Sequence, residues 1–170
     1  MTKCLFCGKQ TIISEKTHTH WKLKNKPFRI IQSYLNLAAG KAPKTSLDTE
    51  ICISLQKMNE LDARIFPIIS PLQLDTPTQS CEILQHVMQQ TFSDGKINWG
   101  RIFSIILFGC ILVRKMPYTE VHVDNVAECI AAFLLDHESK WLCRHGGLVK
   151  SYFSFFLGTW GEIHECSNGW

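Results

Sequence analysis

Apolar positions along this chain recur at three- and four-residue intervals, and no segment shows the strict alternation of a half-buried strand. The pattern predicts a first helix over about 27–39, with Phe28, Ile31, Leu35 and Ala38 on one face and Gly40 as its stop. A loop through Lys41-Ala-Pro-Lys-Thr-Ser46 leads to a second helical stretch. Ser46 or Asp48 is expected to cap it, and Ile51, Leu55, Met58, Leu61 and Ile65 give its stripe. Pro67, Pro71 and Pro77 predict irregular or broken helix over 66–78. Thr78 or Ser80 can then cap a third helix, Cys81 to Phe92.

The second half of the chain is more strongly patterned. Ser93-Asp94-Gly95 is turn chemistry, and Asn98 can cap a helix that begins Trp99-Gly100-Arg101. Ile105, Ile106, Phe108, Ile111, Leu112 and Val113 make that helix apolar almost all round, so other helices must surround it. Pro117 ends it. A further helix from about Glu120 to Leu135 should turn Val123, Val126, Ala127, Ile130, Ala131 and Leu134 inward. These two helices form a central antiparallel hairpin. Ser139-Lys-Trp141-Leu142, a His145-Gly146-Gly147 turn and an aromatic helix carrying Tyr152, Phe153, Phe155 and Phe156 follow. The expected fold is all-α, a compact bundle of about seven or eight helices around the hairpin, with residues 1–26 as a loosely attached arm and 27–170 as one domain.

Composition narrows the function. The chain has 170 residues, of which 45% are hydrophobic, enough to bury one core. Eighteen basic against fifteen acidic residues leave a net charge of +3 without a clustered basic face, so nucleic acid is not an expected partner. Eight cysteines accompany no secretory signal, and Cys110 and Cys129 fall inside apolar helical patterns as small hydrophobes. A reducing, cytoplasmic setting is expected. The apolar run Ile102–Val113 falls short of the ~20 residues a membrane span needs, and no apolar tail follows before Trp170. No permanent anchor is therefore expected.

Two other classes of function are open to such a sequence. Cys4-x2-Cys7 has the spacing of a zinc pair, but His18-x-His20 is closer than the ~3–5 intervening residues of a structural histidine pair. Two free thiols are the simpler expectation, with a Cys/His zinc module at the arm as the alternative. His86, His122, His137, His145 and His164 fall among caps and helix surfaces, with no serine elbow, phosphate loop or paired carboxylates beside them. Cys143 and His145, two apart on a helix, point away from each other. No catalytic residue, cofactor site or metal site is expected, and the chain does not read as an enzyme.

Phe92-Ser-Asp94-Gly95-Lys-Ile97-Asn98-Trp99-Gly100-Arg101-Ile102, followed by Phe108-Gly109, closely resembles the first homology motif of the B-cell lymphoma-2 apoptosis regulators. Trp141-Leu142-x2-His145-Gly146-Gly147 is similar to the second. The resemblance spans about 81–157, and the helix at 28–39 falls where the family's first helix would. It implies a surface groove that receives an amphipathic death-motif helix. Gly100 would let the partner backbone approach, and Arg101 would pair with the partner's aspartate. Asn98 would contact the same polar side, and Val87, Phe103, Ser104 and Phe108 would line the groove. Trp99 is a packing residue on this reading, and Phe103 and Phe108 could equally be plain core.

The sequence departs from the family in two places. Leu148 follows Gly147 where a tryptophan is usual, which alters an aromatic packing surface. In the stretch that should hold the family's own death motif, Leu61 stands where a glycine or alanine is expected before Asp62, and Lys57 where the anchoring leucine belongs. A bulky residue at 61 should block insertion into another protein's groove. The resemblance therefore points to a pro-survival member, similar to the short survival proteins of some large DNA viruses. An executioner-type member of the same fold is the alternative. Implied partners are helix-only activators, Bax/Bak-type executioners and the similar helix of an autophagy initiator. Partners would recruit it to the mitochondrial outer membrane or other intracellular membranes.

Overall fold

The computed structural model describes residues 26–53, 55, 74, 76–145, 147 and 148. Four helices organise them: α1 (Lys26–Ala38), α2 (Pro77–Thr91), α3 (Trp99–Lys115) and α4 (Glu120–Arg144). A further helical stretch covers 46–53. No strand occurs among the described residues.

The α3–α4 hairpin is the centre. Ten residues of α3 are buried, among them Ile105, Ile106, Ile111, Leu112 and Val113. A helix this apolar needs cover on several sides, and α1, α2 and α4 all pack on it. Both α1 and α2 also pack against α4, so each spans the hairpin. Val123, Val126, Ala127, Ile130, Ala131 and Leu134 of α4 all face inward, as the periodicity predicted. Phe28, Ile31, Tyr34 and Leu35 bring α1 into the same core. Gly109 marks a close crossing: a Cβ there would lie 2.9 Å from Ile130 Cδ1, 3.3 Å from Leu35 Cδ2 and 3.4 Å from Val126 Cγ1. A polar link joins α1 to α4, with Gln32 Nε2 donating to Asp124 Oδ1 at 2.6 Å.

Helix ends follow cap chemistry, with three differences from the expected boundaries. Pro77 does not break α2 but opens it. Proline suits the first helical position, where its missing N–H is not needed. The cap is Thr76, whose hydroxyl accepts from Gln79 N while the Gln79 side chain accepts from Thr76 N. The 46–53 stretch is likewise capped by Thr45, paired reciprocally with Asp48. Lastly, α4 does not stop near Leu135 but runs unbroken to Arg144, carrying Trp141 and Leu142 as its last turn. Asn98 caps α3 as expected, accepting from Arg101 N at 2.9 Å. Gly40, at φ 92°, closes the turn after α1.

Cys81, Cys110 and Cys129 are buried, and none of these or of Cys52 and Cys143 is in a disulfide. His122 is no surface residue: it is 1% exposed, and its Nε2 has no hydrogen-bond partner. Burial holds its pKa below the ordinary 6.5. Among the described residues no helix is long and apolar enough to cross a membrane. The arm up to Asn25, the stripe residues Met58, Leu61 and Ile65, and the aromatic segment 152–156 lie outside the described residues.

Candidate functional site

Although α3 is enclosed on most sides, one strip stays open. Gly100 and Ser104 are exposed, and Arg101 and Phe108 are half-buried, while Ile102, Phe103, Ile105, Ile106 and Leu107 between them are covered. Positions 100, 104 and 108 are spaced four apart and share a face. Ser104 Oγ donates to Gly100 O at 2.8 Å, which turns its hydroxyl back onto the helix. On α2, Ile83, Val87 and Thr91 form a half-covered strip of the same spacing.

The two strips are tied together at Arg101. Its Nη1 donates to Thr91 O at 3.0 Å, at the end of α2, and to Lys96 O at 2.7 Å in the connecting loop. The same end of the guanidinium meets Asp94, Nη1 to Oδ1 at 2.5 Å and Nη2 to Oδ2 at 2.8 Å. No hydrogen bond of Arg101 uses Nε among the described residues. Asp94 Oδ1 also accepts from Lys96 N at 3.0 Å. The Arg101 guanidinium and this backbone N–H hold the Asp94 carboxyl well below the usual carboxylate range, and Asp94 in turn raises the Arg101 pKa. The loop is shaped to allow this. Gly95 takes φ 69°, its N–H donates to Phe92 O, and the Phe92 ring anchors against Phe133 at 5.6 Å between centroids.

An aromatic run braces the same end of α3. Trp99 lies 6.1 Å from Phe103 and 5.0 Å from Trp141 of α4, centroid to centroid, and Trp141 stacks on His145 at 4.1 Å. The two sequence motifs thus meet through their tryptophans. Trp99 packs, as the sequence suggested. Leu148, standing where a tryptophan was expected, is buried at 2% exposure and joins the core.

The candidate residues divide on this geometry. Asn98, Gly100, Arg101 and Ser104 gather at the start of α3. Phe108 lies further along the same strip, and Val87 lies on the facing strip of α2. Phe103 is 4% exposed and belongs to the core. Asn98 has an internal role as the helix cap, because its Oδ1 is engaged by Arg101 N. At Gly100 a Cβ would meet the cap oxygen Asn98 Oδ1 at 3.2 Å, a tight contact that the cap side chain would have to relieve, and no other side chain among the described residues. Sequence reasoning missed Asp94 as a partner of Arg101, and Ile83 and Thr91 on α2. The signal for Asp94 was an acidic-glycine turn in the same motif as the arginine. Among the described residues no group of histidine, cysteine or carboxylate side chains could hold a metal ion.

The chain resembles several proteins of known family. The chain is 24% identical over 144 residues to the anti-apoptotic protein NR13 of Coturnix japonica, covering 82% of this chain and 80% of that one. It is 27% identical over 146 residues to the human apoptosis regulator BAX, covering 78% and 74%. Its fold matches the crystal structure of a zebrafish pro-survival protein NRZ in complex with Bad BH3. The TM-score is 0.63 and the identity 21%, over 79% of this chain and 94% of that one. The model of the Bcl-2 family, apoptosis regulator proteins, matches residues 50–147. The chain therefore belongs to the Bcl-2 family of apoptosis regulators.

Proposed function

We propose that this protein is a pro-survival regulator that captures the amphipathic death-motif (BH3) helices of pro-apoptotic proteins along the open strip of α3. A partner held there cannot act on the mitochondrial outer membrane, so protection follows by mass action. The partners are helix-only activators and Bax/Bak-type executioners, and the autophagy initiator's helix has the same chemistry. The protein acts in the cytoplasm and at the outer membrane, where its partners gather.

The carrying observation is the corner at Gly100 and Arg101. Gly100 is exposed in the first turn of α3, and apart from the cap oxygen Asn98 Oδ1, at 3.2 Å, a Cβ there would meet no side chain among the described residues. The bare surface this leaves gives room for a partner backbone. Arg101 beside it supplies a charge for the aspartate of the bound helix, while half-covered Val87 and Phe108 offer apolar surface to its anchors. The direction, survival rather than execution, is supported by the NR13 likeness and by Leu61, which stands where a presented death motif would need a small residue.

Gly100→Glu tests the corner. The Cβ would press only on the cap oxygen Asn98 Oδ1, at 3.2 Å, so stability from urea unfolding should fall by no more than the loss of a helix cap, about 1 kcal/mol. Binding of a Bad BH3 peptide should fall at least about tenfold, through steric block and repulsion of the peptide's aspartate. A variant that binds as tightly as the parent would remove Gly100 from the site.

A further inference from the structure

Arg101 has five N–H donors in one plane. Both hydrogens on Nη1 are consumed by Thr91 O, Lys96 O and Asp94 Oδ1, and one on Nη2 by Asp94 Oδ2. That leaves Nε–H and the second Nη2–H, which lie parallel along one edge and match the two oxygens of a carboxylate.

Resting on the groove reading above, we propose that Asp94 is a positioning residue for partner recognition, gripping the Nη1/Nη2 end of Arg101 so that its Nε–Nη2 edge faces the partner's aspartate. The opposite possibility is that Asp94 competes with the partner for the arginine. The backbone argues against it: with Asp94 gone, Nη1 would still be occupied by Thr91 O and Lys96 O, so a partner could not take the end of the fork in bidentate fashion. Charge agrees as well. Asp94, Arg101 and Lys96 together sum to one positive charge, so an arriving carboxylate is still attracted. Asp94 is itself fixed by the Lys96 N–H and the Gly95 turn, and a fixed anion orients an otherwise flexible side chain before the partner arrives.

The test is a binding cycle with a Bad BH3 peptide and the same peptide with its motif aspartate changed to asparagine, against the parent and Asp94→Asn. Asparagine keeps the volume and can still accept from Lys96 N. Asp94→Asn should weaken the aspartate peptide about 3- to 10-fold and leave the asparagine peptide within about twofold, because only the former uses the oriented edge. A second readout needs no variant: in the parent, the Arg101 Nε–H NMR signal should shift with the aspartate peptide and not with the asparagine one. Equal weakening of both peptides would reduce Asp94 to a turn former and overturn the proposal. Tighter binding by Asp94→Asn would make it a competitor, with the same consequence. Failure of the folded parent to bind either peptide would instead overturn the groove reading, and this proposal with it.

Discussion

Replacing Gly109 with alanine sets two effects of known size against each other. Alanine in a helix interior is favoured over glycine by about 1 kcal/mol, so propensity alone predicts a more stable protein. The crossing predicts the reverse. The new methyl would lie 2.9 Å from Ile130 Cδ1, closer than real Cβ atoms come to a neighbour, with Leu35 and Val126 at 3.3 and 3.4 Å. All three neighbours are fully buried, so Ile130 has no free space into which to swing. Overpacking of this kind costs about 1–3 kcal/mol, and with three helices converging the upper part of that range applies. The net expectation is a loss of about 1–2 kcal/mol, or roughly 2–8 °C in melting temperature for a chain of this length. Urea denaturation should show a lower midpoint with unchanged slope. The double variant Gly109→Ala/Ile130→Val supplies the internal check. Ile130→Val alone opens a cavity and costs about 0.5–1.5 kcal/mol; added to Gly109→Ala it removes the clashing methyl and should cost nothing or restore stability. A Gly109→Ala protein more stable than the parent would refute the close crossing.

Other consequences are smaller in scale. Because His122 is buried neutral with its pKa below 6.5, the unfolded chain binds a proton that the folded one resists. Stability attributable to this residue should therefore be complete above pH 6.5 and fall as pH drops below it, by at most about 1.4 kcal/mol per pH unit. Melting temperatures from pH 7.5 to 5 should decline more steeply for the parent than for His122→Gln, and parallel curves would contradict the assignment. The Trp99–Trp141 contact should appear as a coupling of about 0.5–1.5 kcal/mol in a double-mutant cycle with leucine at each site. Additivity within about 0.3 kcal/mol would mean that the two motifs do not brace each other.

Periodicity made the hairpin legible: the six inward positions of α4 and the burial of most of α3 follow from spacing alone, and Asn98 and Pro117 bracket α3 by ordinary cap and breaker chemistry. Less visible features depend on context. Pro77 reads as a breaker until its place relative to Thr76 and Gln79 is known, since the same residue opens a helix at its first position and disrupts one further in. The inward apolar spacing ends near Leu135, where the helix was expected to stop, but α4 continues to Arg144 and brings Trp141 against Trp99. A histidine near a helix start reads as surface, and only the packing puts His122 inside. The corner residues Asn98, Gly100 and Arg101 were identified from motif resemblance and the cap role of Asn98 from its position, yet the internal partners of Arg101 were not. Asp94 lies in the turn before α3, where helical spacing does not apply, so its meeting with Arg101 is set by the loop's path and not by any periodicity.

The most direct measurement is calorimetric titration of a Bad BH3 peptide into the parent and into Arg101→Ala, with folding of both checked by circular dichroism. The parent should bind with sub-micromolar affinity. The variant should lose about 1–3 kcal/mol, since a charge-assisted pair disappears and the peptide's aspartate is left without its partner. Equal binding by parent and variant, or no binding by a folded parent, would contradict capture of the helix at this corner.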